Sequence, residues 1–149
     1  MSGEGKTVDA VRTSRVSWLT HPPGGHAAVT VGSRAFTAIP LSFTTGELEP
    51  GVTTPGELLV AAHGGAFAVI LARMLERDGI AARELVVSTT YHVVSEWYEI
   101  LKVEIAVTGR VPDASQSDVE RLAHEAAERC RSSTGLAGNA ALEISVTLL

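Results

Sequence analysis

The sequence predicts one α+β domain spanning residues 1–149. Two segments carry helix-start signals, and six others read as strands, grouped three, two and one around them. No internal repeat, low-complexity tract or linker divides the chain. Its length suits one packed core, and 45% apolar with 19% charged residues is ordinary for a globular protein.

Taken in order, Val11 to Leu19 reads as a strand, stopped by the turn-forming run His21-Pro22-Pro23-Gly24-Gly25. Strands are expected again over His26 to Val31 and Arg34 to Leu41, with Gly32-Ser33 as a short hairpin connection. Thr44 to Thr54 is a loop. A helix then begins: Thr54 as N-cap, Pro55 at the first helical position and Glu57 three after Thr54 form a capping-box start. Gly79, after the polar Glu76, Arg77 and Asp78, is the stop. Between these ends the helix is apolar on nearly every side, so it should be covered all round.

Glu84 to Glu96 and Glu99 to Val111 read as two long strands. In the second, Leu101, Val103, Ile105 and Val107 alternate with polar residues, as antiparallel sheet with one buried face requires. A second helix is expected from Ser115 or Ser117, the latter spaced with Glu120 as a capping box, to about Ser132. Val119, Leu122, Ala123, Ala126, Ala127 and Cys130 form its inward stripe, which turns Cys130 toward the core. In the last strand, Ala141 to Leu149, Leu142, Ile144, Val146 and Leu148 share one side.

Composition narrows the function. A net charge of −5 without a Lys/Arg cluster offers nothing to a phosphate backbone, so no nucleic-acid partner is expected. Met1 to Ser14 contains no apolar run of the signal-peptide kind, so a cytoplasmic location is expected. Leu58 to Leu71, interrupted by His63, falls short of the roughly 20 residues a bilayer span needs, so no membrane is expected. The single cysteine, Cys130, excludes an intramolecular disulfide and any Cys-x-x-Cys motif. The histidines show no ligand spacing; no metal and no cofactor is expected.

Two patterns carry a resemblance. Pro55-Gly56-Glu57-Leu58-Leu59 leads into Ala61-Ala62-His63-Gly64-Gly65-Ala66-Phe67, and Cys130-Arg131-Ser132-Ser133 closes the second helix. They resemble the OsmC/Ohr family, whose members read Pro-Glu-Glu-Leu before a first long helix with a reactive cysteine inside it, and end the second helix with Cys-Pro-x-Ser. The resemblance implies the order βββ-α-ββ-α-β and an intertwined homodimer, with two central helices wrapped by antiparallel sheet from both chains. It also implies descent from thiol-dependent reductases of organic hydroperoxides, in which one cysteine attacks the peroxide and a second resolves the sulfenic acid. In that family an arginine favours the thiolate and a glutamate holds the arginine. Carried over by spacing, the reactive cysteine is Ala66, the glutamate Gly56 and the arginine position falls at or near Gly46. Only the resolving cysteine survives, as Cys130, followed by Arg131 in place of proline. Arg34 or Arg15 is a candidate substitute for the arginine.

Single residues keep two readings. Glu57 is a displaced catalytic carboxylate or a capping residue. His63 is a functional group matching a histidine common in the OsmC branch, or a hydrogen-bonded core residue. Gly64-Gly65 marks a helix–helix crossing or room for a ligand. Cys130 packs as a small hydrophobe or acts as a nucleophile; Arg129 and Arg131, one position away on a helix, point elsewhere. Three functions follow. The chain is a homodimer without two-cysteine turnover that binds a small apolar ligand in a pocket lined by Leu59, His63, Ala66, Phe67 and Cys130. Alternatively it is a one-cysteine reductase of organic hydroperoxides using Cys130, or a dimeric scaffold with neither activity.

Overall fold

The computed structural model describes residues 6–8, 10–19, 26–42, 48–94 and 99–149. They fall into two compact units, residues 1–55 and residues 56–149.

The first unit is a three-stranded antiparallel sheet in the order β1 (Ser14–Leu19), β2 (His26–Val31), β3 (Ile39–Leu41). β2 matches its expected bounds. β1 begins three residues later than expected, and the strand expected from Arg34 survives only over Ile39–Leu41. The cause is local. Arg34 and Ala38 take positive φ of 59° and 53°, which removes both from extended structure. Arg34 N–H closes a turn onto Val31 O at 2.9 Å, and Ala38 N–H caps onto Thr30 Oγ1 at 2.9 Å. The connection is therefore a seven-residue loop from Gly32 to Ala38, where a two-residue hairpin was expected. Among the described residues of this unit, Ala27, Val29 and Leu41 are the buried apolar ones. After β3 the chain returns to pair Ser42 with Thr53, N to O at 2.8 Å, and reaches the buried Thr54 just before the helix. His21 and its Pro-Gly turn, and Gly46, lie outside the described residues.

The second unit holds both helices and a second sheet, β4 (Glu84–Val94), β5 (Glu99–Arg110) and β6 (Ala141–Leu148), in that spatial order. α1 (Pro55–Arg77) opens at the proline the sequence marks. It closes at Gly79, φ 71°, where Ile80 N–H reaches Leu75 O at 2.9 Å. At 23 residues α1 is long and apolar enough to pass for a membrane span by length and composition alone, which the shorter apolar run had not suggested. Its buried residues join the hydrophobic core: Phe67, Leu71, Met74 and Leu75 pack with Val103, Ile105 and Val107 of β5. One chain does not cover every side of α1. Ala61, Ala62, Gly65, Val69 and Ala72 are exposed, Val69 by 52%.

α2 (Gln116–Thr134) starts at Ser115, whose backbone is extended and whose Oγ accepts the Asp118 N–H at 3.1 Å. The Ser117–Glu120 box expected at this end does not form; Ser117 is already inside the helix and Glu120 accepts from Gln116 at 2.7 Å. Gly135, φ 67°, caps the other end. All six residues of the expected inward stripe, Val119 to Cys130, are at most 2% exposed.

β4 and β5 are antiparallel, as expected, with a register shift between His92 and Val93. That irregularity leaves Leu101 without a partner on β4, and the core position passes to Ile100. Leu101, expected inside, is 53% exposed. β6 lies parallel to β5, a departure from the all-antiparallel expectation. α2 makes this possible: it carries the chain back across the core, so β6 enters from the same end as β5. Leu142, Ile144, Val146 and Leu148 face the core as the alternation required.

Candidate functional site

Three elements of the second unit bring titratable side chains together: His63 from α1, Tyr91 from β4, and Cys130 with Arg131 from α2. Helical spacing puts His63 one turn before Phe67 on the buried face of α1. Strand alternation puts Tyr91 on the same side of β4 as Leu85 and Val87, which pack on the core. His63 Nδ1 and Tyr91 Oη are 2.5 Å apart, with the rings edge-to-face at 5.6 Å between centroids and 71° between planes. His63 is only 3% exposed, so the sequence alternative of a hydrogen-bonded core histidine describes it correctly.

The electrostatics favour the neutral forms of His63, Tyr91 and Cys130 near pH 7, while Arg131 stays charged. Burial, and then the positive charge of Arg131, hold the His63 pKa below its ordinary value. Burial, and then the Cys130 sulfur, push Tyr91 up to about 12. Burial raises the Cys130 thiol, a hydrogen bond with Thr134 opposing it. With both rings uncharged, the Tyr91 hydroxyl can donate to Nδ1, which leaves the imidazole proton on Nε2. Thr134 Oγ1 also donates to Cys130 O at 2.7 Å, fixing the last turn of α2 around the sulfur.

The arginines beside Cys130 in sequence serve other partners. Arg129 binds Glu125 at 2.9 Å, and Arg131 donates to Ala140 O at 3.1 Å, tying α2 to the start of β6. Arg131 therefore acts on His63, an influence the sequence did not reveal.

Around this cluster the other expected positions are distributed as follows. Ala66 is partly buried against the core that contains Phe67 and Cys130, Leu59 is partly buried, and Gly56 is buried. Phe67 and Cys130 are both 0% exposed. Glu57 is exposed at the first turn of α1. Arg15 and Arg34 are exposed residues of the first unit.

Gly64 has a different reason from the helix crossing expected. A Cβ there would stand 2.8 Å from Thr89 Oγ1 of β4, so the glycine lets α1 approach the sheet. Thr89 Oγ1 itself is buried without a hydrogen-bond partner. Gly65 has open space around its missing Cβ. Among the described residues no group of three His, Cys, Asp or Glu side chains is placed to hold a metal ion.

Sequence reasoning missed Tyr91 and Thr89. Their signal was available in the parity of β4, which puts residues 85, 87, 89 and 91 on one face.

Comparison with known proteins gives a consistent result. A family model described as OsmC-like protein matches residues 48–145. Among solved structures, an OsmC-like protein from Mycoplasma pneumoniae superposes with a TM-score of 0.69 at 14% identity, covering 95% of this chain and 98% of that one. An organic hydroperoxide resistance protein from Elizabethkingia anophelis gives 0.68 at 16% identity, with 95% and 100% covered. An organic hydroperoxide resistance protein OsmC from Legionella pneumophila gives 0.63 at 19%, with 93% and 98% covered. No curated protein sequence matches the chain.

Proposed function

This chain belongs to the OsmC-like protein family, and from that membership we propose that it is a homodimeric member of the hydroperoxide-detoxification lineage that has lost two-cysteine turnover. In place of chemistry it holds a small apolar molecule at the former active site, lined by Leu59, His63, Ala66, Phe67 and Cys130. One observation carries the reading. The only sulfur nucleophile, Cys130, is fully buried and its thiol is held protonated by that burial. Peroxide reduction needs a thiolate to attack one oxygen, forming S–O as O–O breaks and giving a sulfenic acid and an alcohol. With Ala66 in the reactive position and Gly56 in place of the carboxylate, the chain has no second thiol to complete that cycle. The same burial argues against the one-cysteine alternative, which requires an accessible, acidic thiol. The exposed apolar stripe on α1, from Ala61 to Ala72, supports the homodimer: it is a face that one chain leaves uncovered. A cytoplasmic location belongs to the same reading.

The test is consumption of cumene hydroperoxide with dithiothreitol as reductant. Background consumption is expected, unchanged by Cys130→Ser. Turnover that Cys130→Ser abolishes would establish the one-cysteine enzyme and overturn the reading.

A further inference from the structure

Away from the His63–Tyr91–Cys130 cluster, a groove of about 760 Å³ runs between the C-terminal halves of α1 and α2. Ile70, partly buried, and Met74, 4% exposed, form an apolar floor. Arg73 and Arg77 stand beside them on α1, and Glu125, Glu128 and Arg129 face them from α2. Two of the three guanidinium groups are engaged, Arg129 with Glu125 at 2.9 Å and Arg77 with Asp78 at 3.0 Å. Arg73 forms no ion pair with any described residue, and neither does Glu128. With Arg77 neutralised by Asp78 and Arg129 by Glu125, the groove keeps Arg73 on the α1 rim and Glu128 on the α2 rim as its two unpaired charges, and Arg73 is the one left to receive an anion.

We propose that this groove binds an amphipathic monocarboxylate, with its apolar chain on Ile70 and Met74 and its carboxylate on Arg73. The volume lies within the roughly 300–1,000 Å³ of small-molecule sites. A planar guanidinium can grip a carboxylate through two parallel N–H donors, and the flexible thioether of Met74 adapts to a chain of variable shape. Glu128 on the opposite rim repels a second negative charge, which selects monocarboxylates over dicarboxylates. This site is lined by residues 70–77 of α1 and 125–129 of α2 and shares no lining residue with the former active site proposed above.

Titration calorimetry of the full chain with decanoate tests the proposal. Saturable binding is expected, with decanol, decyltrimethylammonium and decanedioate each at least about five-fold weaker. Arg73→Gln, at an exposed position that leaves the core intact, should weaken decanoate about five- to ten-fold and leave decanol unchanged. Ala66→Leu, which fills the former active site, should leave the preference for decanoate over decanol in place. Absence of saturable decanoate binding, equal affinity for decanol, or no effect of Arg73→Gln would overturn the assignment. Loss of binding on Ala66→Leu alone would place the ligand at the former active site and overturn this groove while sustaining that pocket.

Discussion

Removing the Tyr91 hydroxyl tests whether the His63–Tyr91 pair holds α1 against β4. Tyr91→Phe keeps the ring, so the edge-to-face contact at 5.6 Å survives, and only the 2.5 Å hydrogen bond is lost. The partner left behind is Nδ1 of a histidine only 3% exposed. An unsatisfied buried acceptor costs about 1–3 kcal/mol, and for a chain of this size each kcal/mol lowers Tm by about 2–4 °C. A loss of roughly 2–12 °C is expected in thermal unfolding at fixed protein concentration. The double variant His63→Leu with Tyr91→Phe should be less destabilised than the sum of the single changes, by about 1 kcal/mol. Additive effects, or a Tm change within about 1 °C for Tyr91→Phe, would refute a structural hydrogen bond.

The same pair sets a pH signature. The pKa of His63 is lowered in the folded state, so its neutral form contributes stability that is complete above the ordinary 6.5 and is lost as pH falls from there through the folded value. Tyr91 acts at the other end: raised from 10.0 to about 12, it contributes stability present below 10 and lost as pH rises through 12. Absorbance at 295 nm in a Tyr98→Phe background, which leaves Tyr91 as the only tyrosine, should show native ionisation displaced upward from that of the unfolded chain.

Further outcomes are expected elsewhere in the unit. A bulky disulfide reagent should label Cys130 slowly in the native protein and fast after denaturation; comparable rates would contradict its burial. Gly64→Ala should destabilise by about 1 kcal/mol despite alanine's better helix propensity, and Thr89→Ala should relieve that cost in denaturant unfolding, because the clash is with Thr89 Oγ1. Ala66→Cys with Gly56→Glu should gain measurable hydroperoxide reduction that depends on both the introduced thiol and Cys130. Sedimentation should give a dimer at micromolar concentration, converted to monomer by Val69→Lys on the exposed face of α1; a folded wild-type monomer would remove the homodimer from the reading.

Much of this architecture was legible because it rests on local signals. Pro55 and Gly79 bracket α1 by backbone chemistry alone, and the three- and four-residue spacing from Val119 to Cys130 marks the buried face of α2 without reference to any other element. What the sequence left open depends on which elements meet. The β4–β5 register shift decides that Ile100 and not Leu101 is inside, and a one-residue shift exchanges the faces of a strand. The direction of β6 follows from the path α2 takes across the core, and alternation reads the same for parallel and antiparallel neighbours. Tyr91 lies 28 residues from His63, so only the packing of α1 on β4 could pair them, and with them set the neutral, buried surroundings of Cys130. Periodicity fixes which face of an element is apolar; the meeting of two such faces is a long-range contact, and only the tertiary structure decides which polar groups it traps together.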